Sequence, residues 1–119
     1  MIATRDLPAE VQLCALTAQI AHELCVLAAE MEELQSTLSD VFRATPPDEA
    51  LVIRAQALDR AFQCLSQLSH ALEGVASLSD PSWRVALGPI LQPISLQALA
   101  LRLSGQGADE AESCDLEWL

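Results

Sequence analysis

The chain has 119 residues, a formal charge of −11 and 51% hydrophobic residues, yet Phe42, Phe62, Trp83 and Trp118 are its only aromatics. That length suits one domain, and an apolar fraction dominated by Ala and Leu is the composition of closely packed helices. All six basic residues are Arg and are scattered, which argues against nucleic acid or an anionic membrane as partner and towards a basic protein surface.

Met1 to Glu10 has no apolar core and carries Asp6, so no signal peptide is expected. Val11 to Ala29 is interrupted by Gln12, Gln19, His22 and Glu23, too polar for a membrane span. The expected setting is cytoplasmic. Cys14, Cys25, Cys64 and Cys114 form no CxxC pair, so no metal or cofactor of its own is expected. Cys14 and Cys25 read as small buried hydrophobes.

Pro8 suits the first turn of a helix over about 8–42. Leu13, Leu16, Ile20, Leu24, Leu27, Met31, Leu34, Leu38 and Val41 recur along it at steps of three or four, a continuous seam. Cys14, Ala18, Ala21, Cys25 and Ala28 make a second, small stripe beside it, and two apolar stripes imply two neighbours. In Thr45-Pro46-Pro47-Asp48 the spacing predicts a stop and restart, with Thr45 as cap, Pro46 in the first turn and Asp48 completing the cap. A second helix follows over about 46–79, with its seam at Leu51, Ala55, Leu58, Phe62, Leu65, Leu72 and Ala76.

So short a connection folds two long helices back antiparallel. A lone hairpin leaves apolar surface bare, and the small stripe is expected to be covered by a second copy, a homodimer forming a four-helix bundle. Asp80-Pro81 opens a short helix over about 81–91, and Ser95 caps another over about 95–104, ended by Gly105. Both are expected at one end of the hairpin, anchored by Trp83. The fold class is thus all-α: one domain over 1–105, then an acidic flexible tail over 106–119 with apolar Leu116, Trp118 and Leu119 at its end.

Asp59 and Gln63 stand four apart on the second helix, flanking the seam residue Phe62 and facing out. In Asp59-Arg60-Ala61-Phe62-Gln63 the chain resembles the CheZ/CheT family of chemotaxis response-regulator phosphatases, which carry Asp-x-x-x-Gln on the second helix of a dimerising hairpin. The resemblance covers the hairpin and the acidic tail. It departs at Phe62, where the family has small residues, and CheZ itself is much longer.

The resemblance implies a receiver domain as partner, which brings its own Mg2+ and aspartyl phosphate. Gln63 would orient a water for in-line attack and Asp59 would engage the receiver's lysine, a suitable role for a neutral amide beside an anion. It also implies that the tail docks on the receiver, through Asp115, Leu116, Trp118 and Leu119. The plain alternative for Asp59 and Gln63 is two solvated residues on a helix face. The protein would then be a non-catalytic dimeric adaptor that holds its partner with the acidic tail.

The histidines give a third possibility. His70-Ala71-Leu72-Glu73-Gly74 is similar to the phosphoacceptor box of histidine phosphotransfer domains, with Glu73 in place of the lysine, where a carboxylate repels a phosphoryl group. His22-Glu23-Leu24 is similar to the start of a histidine-kinase dimerisation box, without the Arg and Pro that should follow.

Overall fold

The computed structural model describes residues 8–105. In chain order they form β1 (Glu10–Gln12), α1 (Leu13–Ala44), α2 (Glu49–Leu78), β2 (Arg84–Ala86), α3 (Leu87–Leu91) and α4 (Gln97–Leu103). The expected docking residues Asp115, Leu116, Trp118 and Leu119 lie outside the described residues.

The hairpin follows the predicted stop, with one change. Thr45 closes α1 by donating its backbone N–H to Val41 O at 2.9 Å, and it is extended, as a residue before proline prefers. Thr45 therefore cannot cap α2. Asp48 does so, its carboxylate accepting from the Leu51 N–H at 2.8 Å, and Glu49 lies in the first turn, where the helix dipole favours a negative charge.

The helix starts expected near residues 8 and 81 are corrected. Glu10–Gln12 pairs antiparallel with Arg84–Ala86, Val11 opposite Val85. The Leu13 N–H, at the start of α1, donates to Trp83 O at 2.9 Å, and the Leu87 N–H, at the start of α3, donates to Ala9 O at 3.0 Å. Each strand thus satisfies an orphan donor at the start of the helix that follows the other. Asp80, read as a helix cap, instead accepts from the Ser82 N–H at 2.8 Å and the Ser82 hydroxyl at 2.7 Å, turning the chain into β2. Ser95 does not cap α4, whose N-cap position is held by Leu96 without a side-chain hydrogen bond. Gly105 ends that helix as expected, in the left-handed conformation at φ +90°.

The two stripes of α1 exchange the roles expected of them. The small one faces α2: Ala21, Cys25 and Ala28 are buried, as are Ser66 and Ser69 on α2. Side chains this small let the backbones approach closely enough for the Ser69 hydroxyl to donate to Ala21 O at 2.6 Å. At Ala21, Cys25 and Ala28 the small stripe is therefore covered within one chain and needs no second copy there, while Ala18 stays exposed and Cys14 half-buried.

The large stripe is divided. At the open end of the hairpin Leu16 joins a core with Leu87, Leu91, Ala100 and Leu103, flanked by Val11, Ile20, Val85, Ile90, Ile94 and Leu99. Beyond this cap the stripe alternates: Leu24, Met31 and Leu38 are half-buried, whereas Leu27, Leu34 and Val41 are between 47% and 51% exposed. The anchor of the cap is Leu87, 1% exposed; Trp83, expected in that role, is 54% exposed. A two-pronged ion pair pins the cap to α1. Arg102 donates from Nε to Glu23 Oε2 at 2.8 Å and from Nη2 to Glu23 Oε1 at 3.0 Å. By length and composition alone α1 is apolar enough to cross a membrane, but here it packs along α2 and carries that ion pair.

Candidate functional site

Asp59 and Gln63 stand one helical turn apart on α2, both exposed, and the Gln63 Nε2 donates to Asp59 Oδ2 at 2.9 Å. The spacing of four foretold that contact. It did not foretell a third member: Gln35, from α1, donates its Nε2 to Asp59 Oδ1 at 3.0 Å. Each carboxylate oxygen thus has its own amide donor, one from each helix. Sequence reasoning missed Gln35 because the pairing of α1 with α2 is tertiary. The signal was a polar amide among apolar residues at intervals of seven, Ala21, Ala28, Gln35 and Phe42.

Gln35 and Asp59 line a groove of about 330 Å³ near the turn of the hairpin, together with Leu38, Ser39, Phe42, Val52, Ala55 and Gln56. Apolar side chains from both helices floor it and the amides and the carboxylate rim it, the usual make-up of a recognition pocket. No Arg pairs with Asp59 among the described residues, so its charge is available to an incoming cation.

The histidines are not part of this cluster. His70 follows Ser69 and His22 follows Ala21, so both lie beside the Ser69–Ala21 contact, towards the open end of the hairpin. His70 is exposed and His22 half-buried. Glu23, the second residue of the kinase-like box, is held by Arg102 and also accepts from Gln19 Nε2 at 3.3 Å, so it is committed to the fold. Among the described residues no group of three His, Cys, Asp or Glu is placed to hold a metal ion. Cys14 and Cys64 are free thiols. Cys25 is buried, as expected of a small apolar residue on this stripe.

A capped antiparallel helical hairpin with a carboxylate–amide cluster on one flank describes the class of protein. Residues 9–119 match the family described as a domain of unknown function (DUF8776), and the chain belongs to that family. No curated protein and no solved structure matches it significantly.

Proposed function

We propose that the protein acts on a response-regulator receiver domain and promotes hydrolysis of its aspartyl phosphate. The observation that carries this reading is the exposed Asp59–Gln63 pair, in contact at 2.9 Å, with Asp59 on the rim of a groove. A receiver that supplies Mg2+ and the phosphoryl group needs from its partner little more than positioning. Asp59 offers a carboxylate to the receiver's lysine. When that lysine takes the place of the Gln63 N–H on Asp59 Oδ2, with Gln35 still holding Oδ1, the Gln63 amide is released to hold water with its oxygen and the phosphoryl group with its N–H. The test is dephosphorylation of a phosphorylated CheY-type receiver with and without the protein. Acceleration that disappears in Gln63→Ala supports the reading, and equal turnover in the two ends it.

One observation favours the adaptor as a second reading: at rest the Gln63 amide donates to Asp59 rather than pointing to solvent. An adaptor would bind the same receiver with no change in its dephosphorylation rate.

Under either reading we propose a homodimer, through a different stripe from the one the sequence suggested. Leu27, Leu34 and Val41 lie seven apart, as do Leu68 and Val75 on α2, and all five are about half exposed. Heptad geometry places both rows on one flank of the hairpin and the Asp59 cluster on the other. Beyond the cap, two helices each about 10 Å wide and roughly 30 Å long present ~600 Å² on that flank, at the lower end of specific interfaces, for which ~800 Å² per partner is standard. Packed this way, two copies form a four-helix bundle with an Asp59 cluster on each outer face. With a receiver domain as partner, the proposed setting is the cytoplasm.

A further inference from the structure

We infer that Gln35 is a positioning residue for Asp59, so that the site is built from both helices of the hairpin. The inference rests on the proposed reading of the Asp59–Gln63 pair as the group that meets the receiver.

The sequence places Gln35 at the phase of Ala21, Ala28 and Phe42, and both alanines are fully buried. A half-buried primary amide in that row loses hydration unless it is paired, and a lone polar residue on a helical seam is often kept for what it specifies. Its amide donates to the Asp59 carboxylate at 3.0 Å. With Gln63 on the other oxygen at 2.9 Å, rotation of the Asp59 carboxylate would break both bonds. An exposed carboxylate held by one amide still swings; held by one from each helix, it is aimed before the partner arrives. Pre-ordering of this kind lowers the entropy lost on docking and does not act on the bond being broken. Gln35 is therefore assigned to binding, whereas Gln63 is assigned to chemistry.

The experiment uses the full chain and CheY phosphorylated with acetyl phosphate in Mg2+. Gln35→Leu, which suits the seam, is expected to raise KM about three- to tenfold with kcat within about twofold, the scale of one side chain to be ordered on docking. Gln35→Lys is expected to ion-pair with Asp59, withhold it from the receiver and raise KM at least as much, with partial relief at high salt. An unchanged KM in both variants overturns the inference, as does a loss of kcat like that of Gln63→Ala. A second measurement needs no activity: Asp59 χ1 couplings by NMR are expected to show one rotamer in the wild type and averaging in Gln35→Leu. If the wild type fails to accelerate dephosphorylation, the phosphatase reading falls, and the couplings decide Gln35 alone. An Asp59 rotamer unchanged in Gln35→Leu then overturns it.

Discussion

Glu23 and Arg102, 79 positions apart in sequence, meet in a two-pronged ion pair that locks α4 against α1. Glu23 is the more sheltered partner, 14% exposed against 38% for Arg102. Arg102→Met should therefore leave a half-sheltered carboxylate without its cation and cost about 1.5–3 kcal/mol, the range for hydrogen bonds to charged groups. Glu23→Gln should cost less, because a neutral amide can still accept from the guanidinium. Urea unfolding of the two single variants and the double gives the coupling directly, and a coupling near zero would show the pair to be ornamental.

The two buried serines of α2 should respond in opposite directions. Ser69 is fully buried and bonds across the hairpin to Ala21 O, so Ser69→Ala should destabilise by about 0.5–1.5 kcal/mol. The Ser66 hydroxyl is buried without a hydrogen-bond partner among the described residues. Ser66→Ala removes that unsatisfied group and should be neutral or stabilising, by up to ~1 kcal/mol. Thermal or urea midpoints of the pair check the contrast, and equal losses would contradict it.

These serines also show where sequence reading stops. The hairpin was legible because nine apolar positions recur along α1 and a Pro-Pro pair interrupts the chain before Asp48. Choosing which stripe faces α2 was not, because hydrophobicity ranks Leu above Ala and Ser, whereas close backbone approach favours the smaller side chains. The ribbon was hidden for a different reason. Glu10–Gln12 has its partner at Arg84–Ala86, and three residues are too few to show an alternating pattern. Of the site, Asp59 and Gln63 were visible from their spacing, while Gln35 becomes part of it only when the helices pair.

The bare stripe makes a prediction about assembly. Leu27→Asp and Leu34→Asp should dissociate the dimer while leaving helix content nearly intact, because each side chain is already about half exposed in one chain. Ala28→Asp, on the buried stripe, should instead unfold the hairpin, since a buried unpaired carboxylate costs ~3 kcal/mol or more. Sedimentation with circular dichroism separates the two outcomes. A wild-type monomer at micromolar concentration would remove the bundle.

Asp80 supplies a pH dependence. The Ser82 backbone N–H, and then the Ser82 hydroxyl, hold its carboxyl below the ordinary aspartate value of 3.8. A carboxyl depressed in the folded state stabilises the fold above its unfolded value and loses that contribution as pH falls through the folded one. The turn into β2 should therefore loosen only below about pH 4. Ser82→Ala removes the smaller cause and should move the Asp80 midpoint part of the way back towards 3.8, readable by carboxyl NMR.

In the chemistry itself, Gln63→Ala should slow receiver dephosphorylation at saturation by roughly thirty- to a thousandfold, the loss expected for ~2–4 kcal/mol of transition-state stabilisation. His70→Ala should leave it nearly unchanged. Acid-labile, base-stable phosphate appearing on His70 would instead assign the protein to phosphotransfer.

The ribbon has a consequence for the order in which the molecule forms. Glu10 and Arg84 are 74 positions apart, and closing so long a loop in an open chain carries an entropic cost of about 4 kcal/mol. Two strands of three residues return little against that. Once α1 and α2 have zipped from their turn, however, the same ends arrive side by side and the effective loop is short. Folding is then expected to run from the turn towards the ends, with the ribbon and the cap closing last. Changes near the turn, at Phe42 or Ala55, should slow folding, and changes at Val11 or Val85 should mainly hasten unfolding. The ribbon and the cap would then be the first of the described elements to open.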